Sequence, residues 1–497
     1  MKNTFFKATV AMLAILLILP ALFACANTTP EDTTAPAAAT TAEPQGEETT
    51  ADAFAGVNFN DTTFTYLAWK QSIVEYTGDD SKGEMIESAV FKRNSIVESK
   101  LGVKLDYLIL DGSSATFNEF CQTANNNINA GSQAYDAIAC YTRAASLLMV
   151  NGSLTNLYDV DYLNFDNVWW PKSLTELNTI GGELYFASGD IATSLLYQMM
   201  FMAINNDIAK EHNIEGVQEL ALKGEWTFDK MLELTKDMYS DRTGGATPRD
   251  ATNNYGLYVY AHTMLDAFYL GAGLHYVEVD SEGNAAMSED YIGDVSLDII
   301  ERLQTLFWSG NSSDGYYANS GGANGISAGQ SLLYVINGET LQSKMKDAEY
   351  NYSILPAPKY NADQDNYYTA VGFPHSMYGI PVDAANKKMS GAVIEYMAET
   401  SYEEVTPVVF DTAFKYRYSN GAGDAEVFDI IRRGVVFDFG RTLFDQMGGD
   451  AAGPIRMWRN EIANKGSTLA RLFSSNNKKW SAQLTDTLTA IKEKAHS

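Results

Sequence analysis

Apolar positions between residues 62 and 141 follow two alternating patterns, short continuous runs and longer stretches with a helical period. Phe64-Thr65-Tyr66-Leu67-Ala68-Trp69 is rich in β-branched and aromatic residues and predicts a strand. From Met85 to Leu101 the residues Ile86, Val90, Phe91, Ile96, Val97 and Leu101 recur at helical spacing, and Gly102 closes the stretch as a C-cap. Val103 to Leu110 is mostly apolar, as expected of a strand covered on both faces. Phe117 to Asn129 predicts a second helix, Gly131 breaks it, and Asp136 to Tyr141 a third strand. This βαβαβ order implies a parallel sheet flanked by helices.

The pattern continues less regularly. Leu184 to Ser188 and Tyr197 to Asn205 read as strands, the second leading into a helix over Asn206 to Glu211. Phe228 to Tyr239 and Leu297 to Trp308 are amphipathic, and Ser331 to Ile336 reads as a strand. The last hundred residues predict helices over Ala392 to Thr400, Ala425 to Arg432, Arg456 to Ala463 and Leu484 to Lys494. No internal repeat of 20–50 residues and no second linker divides the chain, so two lobes woven from one chain fit its length better than separate beads.

The first fifty residues have a different character. Lys2 and Lys7 precede an apolar run from Ala8 to Phe23, shorter than the roughly 20 residues a spanning helix needs, which predicts an export signal. Leu22-Phe23-Ala24-Cys25 resembles the lipobox of bacterial lipoproteins. The resemblance implies cleavage after residue 24 and a thioether-linked diacylglycerol on Cys25, with palmitate-type acyl chains holding the protein at the outer face of the cell membrane. Two acyl chains anchor stably where one binds only marginally. Residues 25–53 then form the lipidated cysteine and a Thr/Ala/Pro/Glu tether too poor in bulky apolar side chains to fold. The body is expected over 54–497.

Charge narrows the partners. The formal charge is −28, and loss of Lys2 and Lys7 with the signal takes it to −30. With no basic patch, nucleic acid and anionic headgroups are poor partners. Cys121 and Cys140 read as buried free thiols, with a disulfide between them the alternative. Neither they nor the five histidines have metal-site spacing, and no cofactor motif is present.

Several segments, taken in order, resemble the extracellular solute-binding proteins (family 1) of bacterial ABC importers, which include maltose- and oligosaccharide-binding proteins. Phe91-Lys92-Arg93-Asn94 lies in the first helix, Tyr135-Asp136-Ala137-Ile138 matches a "YD-aliphatic" strand, and Asn151 to Leu157 matches "G-x-L-x-x-L". Trp169-Trp170-Pro171, Asn205 to Lys210, Gly224 to Lys230 ("G-x-W-T-x-D") and Tyr352 to Pro358 ("YGILPAP", with Ser353 for the usual Gly) follow. The resemblance implies an α/β, two-lobed periplasmic-binding-protein-like (type II) fold with an interlobe ligand cleft. Lobe 1 is then expected over about 54–189 and 350–410, and lobe 2 over about 190–349 and 411–497. It further implies a monomeric, non-enzymatic receptor that passes a mono- or oligosaccharide to ABC permease subunits.

Ligands of open α/β sheets sit beyond the carboxyl ends of strands, which together with the resemblance nominates ten residues. They are Trp69, Tyr141, Arg143, Trp170, Asp190, Tyr260, Asn337, Glu339, Asp438 and Arg441. The chemistry suits sugars: rings cover the C–H faces of a pyranose, while carboxylates, amides and guanidiniums satisfy its hydroxyls. The chain is 12% aromatic, with 29 Tyr and 7 Trp, more ring than a core requires. Trp69 and Tyr141 are expected to touch ligand without holding up the unliganded body. Glu339-Thr340 stands where that family places a stacking aromatic after "NG". The alternatives are a surface glycan-binding or sensory lipoprotein and a carbohydrate-active hydrolase. Gly325-Ile326-Ser327-Ala328-Gly329 satisfies G-x-S-x-G, but its flanks lack the strand–Ser–long helix context of a nucleophile elbow.

Overall fold

The computed structural model describes residues 52–244, 250–280, 283–310, 312–346, 348–413 and 422–495. The predicted signal run, Cys25 and nearly all of the tether lie outside these residues. The body is tied down from its start, since Phe54 is buried, stacks on Tyr162 and meets Tyr396 at a tilt.

The N-terminal βαβαβ unit forms as its pattern predicts. Strands β1 (Thr62–Trp69), β2 (Val103–Leu110) and β3 (Ala137–Tyr141) are parallel, with β1 central; Thr62 pairs with Val103 and Tyr66 with both Tyr107 and Ala137. The helix Met85–Leu101 ends at Gly102, whose φ of 59° is the left-handed C-cap only glycine adopts freely. A late strand, β11 (Ser376–Gly379), adds antiparallel to β3, giving the order β11-β3-β1-β2. The helix Lys387–Glu404 returns to pack on Met85–Leu101, and Tyr66 donates to Met397 Sδ at 3.2 Å. Cys121 and Cys140 are both buried and free.

The second sheet takes strands β4 (Met200–Asn205), β5 (Tyr255–Val259), β8 (Gly315–Tyr317), β9 (Ser331–Asn337) and β10 (Tyr352–Leu355) in the order β10-β4-β9-β5-β8. A small hairpin of β6 (Val277–Val279) and β7 (Ala285–Met287) stands apart. The "G-x-W-T-x-D" segment is a packed helix start: Trp226 is fully buried, its indole N–H donates to Pro356 O at 3.0 Å, and Thr227 caps the helix Phe228–Thr235.

Two expectations are corrected. Leu184–Ser188 is extended but forms no strand, only the single bridge from Ala187 to Tyr378. Tyr197 and Gln198 end a six-residue helix, Thr193–Gln198, and the strand starts only at Met200. A six-residue helix between two apolar stretches has too little periodicity to be told from strand. The strand β10 pairs with β4, so the chain is still in the second sheet through Leu355. The closing helix Leu469–Ala495 packs on the hairpin of the second lobe and on Thr142–Val150 of the first, where Lys494 Nζ donates to Val150 O at 3.2 Å.

Candidate ligand cleft

Because β1 and β3 are parallel, their carboxyl ends deliver Trp69 and Tyr141 to the same sheet edge. The two rings stack at 5.3 Å between centroids and 21° between planes. Phe117 meets Tyr141 edge-on at 6.1 Å, and the Trp69 indole N–H donates to Ser376 Oγ at 2.8 Å. Both rings are nearly covered, Trp69 being 2% exposed and Tyr141 4%. Arg143, two residues on, lies over the rings of Phe117 and Phe444 and forms a two-pronged pair with Asp445, Nε donating to Oδ2 at 2.6 Å.

The facing wall comes from the "NG" after β9. Asn337 Oδ1 accepts the Thr340 N–H at 2.9 Å, which fixes the amide so that Nδ2 donates to Gln198 Oε1 at 3.3 Å. Gln198 is oriented in turn, and its Nε2 donates to Glu339 Oε2 at 2.9 Å. Gly338 is needed for this approach, since a Cβ there would lie 2.8 Å from Leu196 O. A Cβ on Gly372 would lie 2.3 Å from Gln198 Oε1. Tyr260 shares a hydrogen bond with Thr340 Oγ1 at 2.7 Å.

Between these walls lie two cavities of about 380 Å³ each, joined at Tyr141, Gln198, Glu339 and Pro374. Each is within the size range of small-molecule sites. One extends to Trp69, Ser113, Tyr197 and Gln342, and the other to Arg143, Tyr260, His262, Phe373 and Arg441. The floor of the second is an ion cluster. Asp266, fully buried, accepts from Arg441 and from Arg459, whose Nε lies 2.6 Å from Oδ1. Burial alone would raise the Asp266 carboxyl, but the guanidiniums of Arg459 and Arg441 outweigh it and hold the group below the usual carboxylate range. Arg441 also donates to Val371 O at 2.5 Å and lies over the Phe373 ring. His262 is pushed down by burial and by Arg459 and Arg456; neutral, it can accept from Arg456.

Seven of the ten nominated residues therefore meet in one cleft: Trp69, Tyr141, Arg143, Tyr260, Asn337, Glu339 and Arg441. Three do not. Trp170 is buried and donates its indole N–H to Glu395 Oε2 at 3.0 Å, beside Trp169 and Asn167 on Oε1. Asp190 accepts from Thr406 at 2.7 Å and from Arg432 at 2.9 Å. Both line a separate crevice of about 760 Å³ on the other side of the helix Thr193–Gln198. Asp438 is buried under the cleft, capping the helix Phe439–Thr442 and accepting the Tyr276 N–H at 2.9 Å. These three polar groups spend their bonding capacity on the scaffold. Sequence reading missed Gln198, Phe373, Phe444, Asp266 and Arg459, which sit on a short helix, loops and a late helix with no pattern pointing to a site. Ser327 of G-x-S-x-G donates to Lys344 O at 2.9 Å, in a short helix followed closely by β9. Among the described residues no group of three or more His, Cys, Asp or Glu could hold a metal ion.

Compared as a sequence, the chain matches no family model and no curated protein. Solved structures do match. The GacH receptor of Streptomyces glaucescens, studied unliganded and with acarbose, is 14% identical, with a TM-score of 0.51 over 86% of this chain and 99% of its own. An ABC transporter solute-binding protein from Thermotoga lettingae, bound with α-D-tagatose, is 13% identical, with a TM-score of 0.51 over 85% and 100%. UgpB from Mycobacterium tuberculosis, in complex with glycerophosphocholine, is 14% identical, with a TM-score of 0.51 over 88% and 99%. Two sheets joined by crossing segments, with a cavity between them, give this chain the two-lobed, periplasmic-binding-protein-like fold of the ABC transporter solute-binding proteins.

Proposed function

We propose that this protein is the extracytoplasmic, lipid-anchored substrate-binding component of an ABC importer, capturing a mono- or oligosaccharide and delivering it to permease subunits. The observation that carries the reading is the pairing across one cleft of stacked rings, Trp69 and Tyr141, with the amide–carboxylate chain Asn337–Gln198–Glu339. The ring edges that line the cleft suit sugar C–H groups, and Glu339, exposed in the cleft, is an acceptor for hydroxyls. Two of the similar structures hold a sugar or acarbose, and the third holds glycerophosphocholine. The protein acts as a monomer and performs no chemistry on its ligand.

A thermal-shift screen of the body against mono- and oligosaccharides tests the reading. A sugar at 100 times its Kd stabilises by about 2.7 kcal/mol, so at least one should raise the melting temperature visibly. A panel with no shift sinks the carbohydrate reading, and release of shortened sugars on incubation would favour a hydrolase. Anchoring has its own test. Cys25→Ser should leave the body folded and exported but free of membrane, because the acyl chains alone hold it. Continued pelleting with salt-washed membranes would refute the lipid anchor.

A further inference from the structure

The two chambers of the cleft differ in charge. The one beside Trp69 is walled by hydroxyls and amides such as Ser72, Ser113, Tyr197 and Gln342, and among the described residues Glu339 is the one charged group that lines it. The other has two guanidiniums and one carboxylate in its floor. Arg459 grips Asp266 with two prongs, Nε on Oδ1 at 2.6 Å and Nη2 on Oδ2 at 2.5 Å, and Arg441 adds a bond to the same Oδ2. One negative charge is thus shared by two positive ones. The neighbouring carboxylates do not make up the difference. Asp445 is taken by Arg143, and buried Asp438 caps its own helix and faces His275. Glu339 and Asp450 line the chamber but are exposed, so water screens them. The guanidiniums also keep spare donors: Nη1 of Arg459 and Nε of Arg441 have no acceptor among the described residues, and both side chains line the chamber. Their field reaches two histidines. Burial first, and then Arg459 and Arg456, push His262 down, while burial and then Arg441 push His375 down to about 4.

We propose that the ligand is an acidic saccharide, its carboxylate or phosphate group seated on Arg441 and Arg459 and its neutral part in the chamber beside Trp69. The proposal rests on the cleft being the ligand site. An anion on the floor supplies the charge that Asp266 alone does not. Asp266 already holds both guanidiniums in place, so little side-chain freedom is lost on binding, and hydrogen bonds from a cation to an anion are the strong ones. The chain's formal charge of −28 opposes this only at long range, since exposed charges are screened beyond about 8 Å at physiological salt. The floor, walled by Phe373 and Phe444, is screened far less. Glu339, where the chambers join, sets the direction: it repels an anionic end and accepts hydroxyls, so the acidic group faces the arginines and the hydroxyls face Glu339.

Two measurements on the full chain test the seat and the class of ligand separately. The first uses inorganic phosphate. Phosphate stabilises folded proteins in general by exclusion from their surface, so the comparison is with Arg441→Gln, which keeps a donor but leaves one guanidinium to one carboxylate. At equal ionic strength phosphate should raise the melting temperature of the parent above chloride, and the excess should shrink to the general effect in the variant. Should the variant fail to fold, the ring resonances of His262, which lines the chamber, should shift with phosphate in the parent. Equal excess in parent and variant, or unmoved His262 resonances, would overturn the anion seat. The second measurement compares glucose and galactose with their uronic acids and 6-phosphates. The acidic form that fits should bind at least roughly tenfold tighter than its neutral counterpart, about 1.4 kcal/mol, and which acid wins tells carboxylate from phosphate. A neutral sugar binding as tightly as its acidic forms would overturn the acidic class while leaving a sugar receptor. A phosphate response with no response to any sugar would support the anion seat and count against the carbohydrate reading.

Discussion

Asp266→Ala is expected to lower the unfolding free energy by about 3–5 kcal/mol, because it strands two buried guanidiniums that share one carboxylate. Both guanidiniums are nearly covered in the floor of the cleft, Arg441 being 6% and Arg459 2% exposed, so solvent replaces the lost carboxylate poorly. The measurement is urea unfolding followed by tryptophan fluorescence, with Asp266→Asn as a partner of the same shape without the charge. A loss below about 1 kcal/mol would mean that the arginines find other acceptors and that the cluster is incidental. The pH dependence gives a second reading. Asp266 has a folded pKa below its unfolded value, so its contribution is present above the unfolded pKa and is lost as pH falls through the folded one. Glu75 and Glu395 behave oppositely. Burial, the largest cause for each, raises their carboxyls, so their contribution is full below the unfolded pKa and is lost as pH rises through the folded value. Removing Asp266 should therefore flatten the acid limb of the stability profile.

Trp69→Ala should cost about 3–5 kcal/mol even without ligand, the usual effect of deleting a buried aromatic side chain. Sequence reasoning expects the reverse, a ring that serves ligand alone and leaves the empty protein stable. The structure overrules this because the indole is 2% exposed, stacked on Tyr141 and bonded to Ser376. Ser376 Oγ also bonds Tyr76 and Ser194, so the ring is part of the support beneath the helix Thr193–Gln198. Trp69→Phe keeps most of the stack and loses one hydrogen bond, for an expected cost nearer 1 kcal/mol. Chemical denaturation of the three forms, paired with affinity for any sugar found in the screen, separates the two roles. An unaltered melting curve for Trp69→Ala with weakened binding would return the ring to a purely ligand-facing role.

The sequence by itself determined the elements whose neighbours in space are also neighbours in the chain. The helix Met85–Leu101 and strand Val103–Leu110 fall where periodicity and Gly102 put them, because local pattern and cap chemistry act over a few residues. The same logic placed Trp69, Tyr141 and Arg143 at one sheet edge, since parallel pairing forces the ends of β1 and β3 together. Asn337 was legible as well, from its place after the strand Ser331 to Ile336 and from the "NG" of the resembling family; its cap to Thr340 and the close approach at Gly338 came only with the structure. What only the tertiary structure decided is where each polar group spends its hydrogen bonds. Trp170, Asp190 and Asp438 have the right chemistry for a ligand, but Glu395, Arg432 and the Tyr276 amide, each far away in sequence, already occupy them. Gln198 gained its place because residues 139 and 141 positions away, Asn337 and Glu339, close around it. A side chain's type is written locally. Its burial and its partners arise from contacts between distant segments, and no period or spacing along the chain records them.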